Sequence, residues 1–137
     1  MTTAATNIGI AVVYHKSRVL VGIREAGSVL AGHAEFPGGK CGPQEPPREA
    51  AVRECLEETG LDVVAIRLLD ERQHSYPHGD LNIQFWLCAP RAMDERAIQG
   101  GFRWAPLSEL LQLDFPEANQ HVISLLLESP KDQLNNS

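Results

Sequence analysis

The sequence contains few cysteines, and they form no recognisable pattern. Its three cysteines, Cys41, Cys55 and Cys88, are odd in number and widely spaced, and no two of them make a Cys-x-x-Cys pair. Neither a disulfide-stabilised secreted domain nor a cysteine-based zinc site is therefore expected. The expected location is a reducing cytoplasm.

Long apolar runs and an excess of basic residues are also absent. No stretch is long enough to span a bilayer, and the first residues lack the basic segment and cleavage site of a signal peptide. The formal net charge is -6, which argues against duplex nucleic acid and an anionic membrane as partners. A chain of this charge can still bind a phosphorylated small molecule when a metal ion supplies local positive charge.

The length and composition are typical of one globular domain. The chain has 137 residues, of which 43% are hydrophobic and 22% are charged, and this is enough to bury a core. Strand-like segments are predicted at 8–14, 19–24, 63–76, 81–88 and 102–104, and helices at 46–59, 106–111 and 118–128. The mixture predicts an α+β fold over residues 1–137, with a polar, frayed tail at 129–137.

The clearest helix is the one predicted at 46–59. Two prolines stand in its first turn and Gly60 directly follows it. At 100° per residue, one face gathers residues that are expected to pack on a sheet, namely Ala51, Val52, Cys55, Leu56 and Thr59.

The opposite face of this helix gathers Glu54, Glu57 and Glu58. Like charges at spacings of three and four residues destabilise a helix by about 0.2–0.5 kcal/mol per pair. Only Arg53 lies beside them, so a cation is expected among the carboxylates, and oxygen ligands suit Mg²⁺ or Mn²⁺ better than zinc. For three glutamates alone, a merely solvated acidic face is the alternative interpretation.

The spacing around the glutamates favours the metal site. From Gly39 the chain reads G-x5-E-x7-R-E-C-L-E-E-T-G-L, which matches the Nudix box at every polar and glycine position. Cys55 takes a place that is usually aliphatic, and a buried cysteine behaves as a small hydrophobe. The chain therefore resembles the Nudix hydrolases and, over its whole length, their MutT branch. The resemblance implies the Nudix fold, an α/β/α sandwich around a mixed β-sheet.

The resemblance also implies roles for the residues of the motif. Glu54, Glu57 and Glu58 would bind Mg²⁺, or Mn²⁺ in its place, with the Gly38 carbonyl as a further ligand. Glu54 is the leading candidate for general base, and Arg53 would orient the neighbouring carboxylates. Attack of water on the β-phosphorus of a nucleoside triphosphate would give a nucleoside monophosphate and pyrophosphate.

One position departs from the pattern of the branch. MutT-type enzymes often draw a further metal-binding glutamate from the loop before the last strand, where this chain has Ile98. Asp94 or Glu95 would substitute if the loop is shifted. The number of metal ions is therefore open, and Glu45 is expected to be structural or weakly involved.

Two further segments, 35–40 and 114–119, resemble the MutT branch, in which the asparagine matching Asn119 reads an oxidised guanine. Oxidation at C8 puts a hydrogen on N7, so an amide can donate to O6 and accept from N7. The implied substrate is 8-oxo-dGTP. The alternative for Asn119 is a helix N-cap after Pro116.

Three more residues are candidates for substrate contact. Arg24 ends a strand and matches a nucleotide contact of the branch, or is simply an exposed strand-end arginine. Phe36 lines the base pocket or fills the core, and Glu35 holds either Arg24 or the nucleotide. Gly38 lets the backbone approach a ligand closely.

The sequence is also compatible with two other functions. One is a Nudix enzyme for another nucleotide such as CTP or methylated dCTP, whose relatives tend to lack the asparagine at 119. The other is a non-catalytic nucleotide-binding module, which usually loses the glutamates that this chain keeps. The oligomeric state is expected to be a monomer or a homodimer.

Overall fold

The computed structural model describes residues 5–24, 26–27, 31–77, 79–92 and 98–129. Within these residues the chain forms a seven-stranded sheet and two α-helices. The strands are β1 (Thr6–His15), β2 (Arg18–Ile23), β3 (Ala34–Glu35), β4 (Gly38–Lys40), β5 (Val63–Tyr76), β6 (Gly79–Pro90) and β7 (Phe102–Pro106). The helices are α1 (Pro47–Thr59) and α2 (Gln120–Glu128). Two 3-10 helices, Leu107–Gln112 and Glu117–Asn119, lie between β7 and α2.

The sheet is mixed, with β1 at its centre. Strand β1 runs parallel to β6 and antiparallel to β2 and β4. Strand β5 pairs antiparallel with β6 at one edge, and β2 pairs antiparallel with both β3 and β7. The predicted α+β class is confirmed.

The two faces of the sheet bury separate hydrophobic clusters. Alternate residues of β1 point to opposite faces, so Ala11 packs beneath α1 and Val12 packs beneath α2. The cluster beneath α1 includes Cys55 and Cys88, and the one beneath α2 includes Phe85. A helix on each face of a mixed sheet confirms the predicted α/β/α sandwich.

Gly9 sets the distance between β1 and α1. A Cβ at this position would lie 2.0 Å from the Pro47 carbonyl oxygen and 2.8 Å from the Ala51 backbone nitrogen. No side chain fits there, because both neighbours are backbone atoms of the helix. The close approach brings the helix that carries the glutamates down onto the sheet.

Several local predictions were wrong. Leu56 is 48% exposed, because it lies at the boundary of the buried face of α1. Residues 38–40 were not among the predicted strands, but they form β4 by pairing with β1. The helix predicted from residue 106 is a 3-10 helix, and the one predicted from residue 118 begins as a 3-10 helix before α2.

Some predictions fall outside the described residues. They concern Asp94, Glu95 and the tail from residue 130 onward. Among the helices of the described ranges, none is long and apolar enough to cross a bilayer.

Candidate active site

The glutamate face of α1 lies against strand β4. The Gly38 amide donates a hydrogen bond of 2.9 Å to Glu58 Oε1. A Cβ at Gly39 would lie 2.4 Å from Glu54 Oε2, so only glycine lets the Glu54 carboxylate reach the strand. The two glycines therefore bring backbone and carboxylates together, as the sequence predicts.

Arg53 ties three carboxylates to each other and to β4. Its Nε and Nη2 donate to both oxygens of Glu45 at 2.8 and 2.9 Å. Its Nη1 donates to Glu54 at 2.9 Å and to Glu57 at 3.1 Å, and Nη2 also reaches the Lys40 carbonyl at 3.1 Å. These hydrogen bonds, first those to Glu45, raise the pKa of the guanidinium further above its usual value. The geometry is the one expected of a residue that orients its neighbours.

Glu45 fixes the loop before α1. Its carboxylate accepts the two bonds from Arg53 and a third, of 2.9 Å, from the Gly42 amide. The hydrogen bonds from Arg53, followed by that from Gly42, lower the pKa of Glu45 to about 2. Its oxygens are engaged by protein donors, which is the arrangement of a structural carboxylate.

Glu58 has the opposite electrostatic environment. Burial, with the Gly38 hydrogen bond acting against it and the charges of Glu54, Glu35 and Glu57 adding to it, raises the pKa of this carboxyl to about 7. Negative charge is therefore concentrated at this end of α1. A bound cation would relieve that repulsion.

The chemistry of the donor set fits a hard divalent cation. Carboxylate and backbone carbonyl oxygens from α1 and β4 are the ligands that such ions take. Among the described residues, no group of three or more acidic, histidine or cysteine side chains is close enough to enclose an ion. Arg53 donates hydrogen bonds to both Glu54 and Glu57. Ile98 packs against the hydrophobic cluster beneath α1, so it offers nothing to a metal.

A cleft of about 820 Å³ opens on the α2 side of the sheet. Its lining includes every predicted substrate contact, namely Arg24, Glu35, Phe36, Gly38 and Asn119. Gly38 and Gly39 belong both to this lining and to the contacts with the glutamates. The cleft and the glutamate face therefore meet at β4.

Phe36, Arg24 and Glu35 form one wall of the cleft. The Phe36 ring is buried in the cluster beneath α2 and stacks on Phe115 at 4.8 Å, so it both fills the core and lines the cleft. Arg24 Nη1 donates to Glu35 Oε1 at 3.0 Å. Glu35 was predicted to hold either Arg24 or the nucleotide, and the structure shows the contact with Arg24.

Asn119 stands where the last 3-10 helix passes into α2. Its Nδ2 donates to the Pro116 carbonyl at 3.3 Å, and its side chain makes no capping hydrogen bond to α2. Asn119 thus occupies the N-cap position of α2, as the alternative predicts, but without the side-chain hydrogen bond that makes asparagine a favourable cap. A single long hydrogen bond leaves the amide able to exchange this partner for a ligand.

The sequence did not predict the wall formed by β5 and β6. Arg72, Gln73 and His74 line it from β5, and Leu81, Ile83 and Phe85 line it from β6. The alternation at 81–85 predicted a strand, but it does not tell which face of the sheet holds a ligand. His74 lies exposed within β5, inside the strand predicted at 63–76.

Comparison with known proteins agrees with the geometry. The NUDIX domain family matches residues 9–125. The 8-oxo-dGTP diphosphatase of Escherichia coli K12 is 32% identical over 111 residues, covering 80% of this chain and 86% of that protein. The CTP pyrophosphohydrolase of the same organism is 32% identical over 76 residues, covering 56% of each.

Solved structures share the fold. The MutT protein of methicillin-resistant Staphylococcus aureus 252, of the Nudix hydrolase family, superposes with a TM-score of 0.74 at 22% identity, covering 93% of this chain and 98% of that one. The match in sequence extends over most of the chain, including the whole glutamate motif. The chain therefore belongs to the Nudix family.

Proposed function

We propose that this protein is a MutT-type pyrophosphohydrolase that converts 8-oxo-dGTP into 8-oxo-dGMP and pyrophosphate. The observation that carries the proposal is one cleft, lined by Arg24, Phe36 and Asn119, that meets the glutamates of α1 at Gly38. The likeness to the 8-oxo-dGTP diphosphatase of E. coli supports the same substrate. The biological role would be removal of oxidised nucleotides from the cytoplasmic pool, with no duplex nucleic acid or membrane as partner.

Nudix hydrolases need a divalent cation, and we assign Mg²⁺ here, with Mn²⁺ as a substitute. Glu54, Glu57, Glu58 and the Gly38 carbonyl would hold it. When bound, the ion neutralises phosphate oxygens and lowers the pKa of a water molecule. Glu58 would lose its proton to take part, since burial and the neighbouring carboxylates raise its pKa to about 7.

Glu54 would act as the general base. It accepts a hydrogen bond from Arg53 and lies against Gly39, next to the cleft. Its carboxylate would take a proton from water as the water oxygen bonds to the β-phosphorus. The bond from that phosphorus to the bridging oxygen breaks, and the nucleoside monophosphate leaves with the bridging oxygen.

Asn119 would select the base. Its amide would donate to O6 and accept from the hydrogen-bearing N7 of an oxidised guanine. Unmodified guanine presents acceptors at both positions, so the Asn119 carbonyl would be left unpaired, at a cost of about 1–3 kcal/mol. Phe36 would offer a ring to the base, and Arg24 is held at the cleft wall by Glu35.

Product analysis of a substrate panel tests this function. Turnover of 8-oxo-dGTP, CTP, a methylated dCTP and ADP-ribose would be followed in Mg²⁺ and in ¹⁸O-labelled water. The proposal expects 8-oxo-dGTP to be preferred and the label to enter pyrophosphate, as attack at the β-phosphorus requires. A preference for CTP would instead indicate a CTP pyrophosphohydrolase. If no nucleotide is hydrolysed, the protein would be a non-catalytic nucleotide-binding module.

A further inference from the structure

An irregularity in β5 brings the Asp70 carboxylate and the Arg72 guanidinium to the face of the sheet that carries the cleft. The pairing of β5 with β6 shifts register between Leu68 and Asp70, after which Asp70 lies opposite Phe85 and Arg72 opposite Ile83. Opposite residues of an antiparallel pair project to the same face of the sheet. Asp70 and Arg72 therefore lie on the face where Ile83 and Phe85 line the cleft.

The Asp70 carboxylate joins β5 to α2. Its Oδ2 accepts a hydrogen bond of 2.9 Å from Arg72 Nε and lies 3.1 Å from His121 Nδ1. The Asp70 side chain is only 14% exposed. Burial raises its pKa, but the hydrogen bonds from His121, Arg72 and the Glu71 backbone lower it to below the usual value. Asp70 is therefore a charged link between two elements.

The two partners of Asp70 connect it to different walls of the cleft. Arg72 itself lines the cleft. His121 lies in the first turn of α2, two residues after Asn119, which lines the cleft from the other side. Within the described residues the Asn119 side-chain amide makes one long hydrogen bond, to Pro116, so its placement depends on where the start of α2 is held.

We propose that Asp70 is a positioning residue for the nucleotide cleft, holding Asn119 in place through His121 and presenting Arg72 to the substrate. The inference rests on the proposed function, in which Asn119 reads the oxidised guanine. Asp70 itself touches no substrate. It sets the distance between the Asn119 amide, which reads the base, and the Arg72 guanidinium on the facing wall.

The proposal predicts an effect on substrate binding and not on chemistry. The glutamates are positioned by Arg53, Gly38 and Gly39, and none of the contacts of Asp70 involves them. Asp70→Ala is expected to raise KM for 8-oxo-dGTP about tenfold and to leave kcat within about twofold, because a small misplacement of a binding group costs up to about a hundredfold. Asp70→Asn is expected to lie between, since an amide oxygen still accepts from Arg72 and His121.

A double-mutant cycle separates positioning from a general structural role. If Asp70 acts through Asn119, Asp70→Ala raises KM much less in an Asn119→Ala background than in the native chain. Additive effects, or a fall in kcat at constant KM, would overturn the proposal. Asp62→Asn is the matched control, because Asp62 also pairs with an arginine, Arg91, but lies outside the cleft.

A substrate-free measurement keeps this inference distinct from the proposed function. The side-chain amide resonances of Asn119 are expected to shift in Asp70→Ala and in His121→Ala, and to stay in place in Asp62→Asn. Unchanged resonances in the first two variants would overturn the positioning role, whichever nucleotide the protein hydrolyses. Absence of 8-oxo-dGTP turnover by the native chain would instead contradict the proposed function alone.

Discussion

The glutamate end of the site and the nucleotide cleft are assembled in different ways. The carboxylates and the arginine that binds them come from one short stretch of chain, 45–58, and meet β4 just before it in sequence. The walls of the cleft come from β1, β3, β4, β5 and β6, from Arg24 and Phe36, and from the segment before α2. The reacting groups are thus specified locally, whereas the selection of a nucleotide depends on how distant segments fold together.

The two regions also differ in how firmly their polar groups are held. Arg53 makes hydrogen bonds to Glu45, Glu54 and Glu57 and to a backbone carbonyl. Asn119, in contrast, makes one long side-chain hydrogen bond to the part of the chain that the structure describes, to the Pro116 carbonyl. A heavily bonded cluster keeps its geometry before any ligand arrives, while a lightly held amide is free to adapt to a base. Substitutions in the two regions are therefore expected to change different kinetic constants.

The largest effect is expected at the proposed general base. Glu54→Gln keeps the size of the side chain but removes its capacity to accept a proton, so kcat should fall roughly 10²–10⁴-fold. Steady-state kinetics with 8-oxo-dGTP measures it, with circular dichroism to show an intact fold. Glu49→Gln, an exposed glutamate in the first turn of the same helix, should keep full activity. Full activity of Glu54→Gln would remove Glu54 as the base.

Arg53→Lys tests whether the hydrogen-bond network orients the carboxylates. A lysine has one nitrogen and cannot replace a guanidinium that bonds three carboxylates from three nitrogens. Metal affinity and kcat are expected to fall roughly 10–100-fold, the usual cost of losing a partner of the ligands, while KM for the nucleotide changes little. Magnesium titration of activity provides the measurement, and a loss confined to KM would refute the orienting role.

Asn119→Ala tests the other end of the site. It should reduce kcat/KM for 8-oxo-dGTP about tenfold, in line with an unpaired polar group on the base, and change kcat/KM for dGTP much less. Ser124→Ala, on the exposed face of α2, should leave both values unaltered. Equal losses for the two nucleotides would make Asn119 a scaffold residue.

The smallest expected effect is the pH dependence of metal binding. Because the folded state raises the pKa of Glu58 to about 7, the protonated carboxyl contributes stability that is present below its unfolded pKa and is lost as pH rises through 7. A metal ion displaces that proton, so Mg²⁺ affinity should rise about threefold between pH 6.5 and pH 7.5. Thermal shifts with and without Mg²⁺ measure this, and Glu58→Gln should flatten the profile. A stronger Mg²⁺ shift at the lower pH would contradict the assignment.

The sequence predicted the glutamate end more completely than the cleft, for physical reasons. Helical periodicity and the fixed spacing from Gly39 determine which side chains share a face of α1, and these predictions depend on local geometry alone. The predicted contacts Arg24, Phe36 and Asn119 rested on resemblance, and the structure brings them to one cleft.

The β5 wall and the Asp70–His121 link were not predicted, because they depend on pairing between distant segments. A register shift near Leu68 decides which residues of β5 face the cleft, and nothing in the local sequence identifies it. Gly9 was likewise missed, since only the packing of α1 on β1 reveals its role. Close approaches between elements are properties of the assembled fold.

The ratio of kcat/KM for 8-oxo-dGTP to that for dGTP, measured in one Mg²⁺ buffer, tests the central claim most directly. The account predicts a large ratio for the native chain that falls in Asn119→Ala and in Asp70→Ala, while Glu54→Gln lowers both values together. A ratio near one in the native chain would contradict the assignment of the cleft to an oxidised guanine.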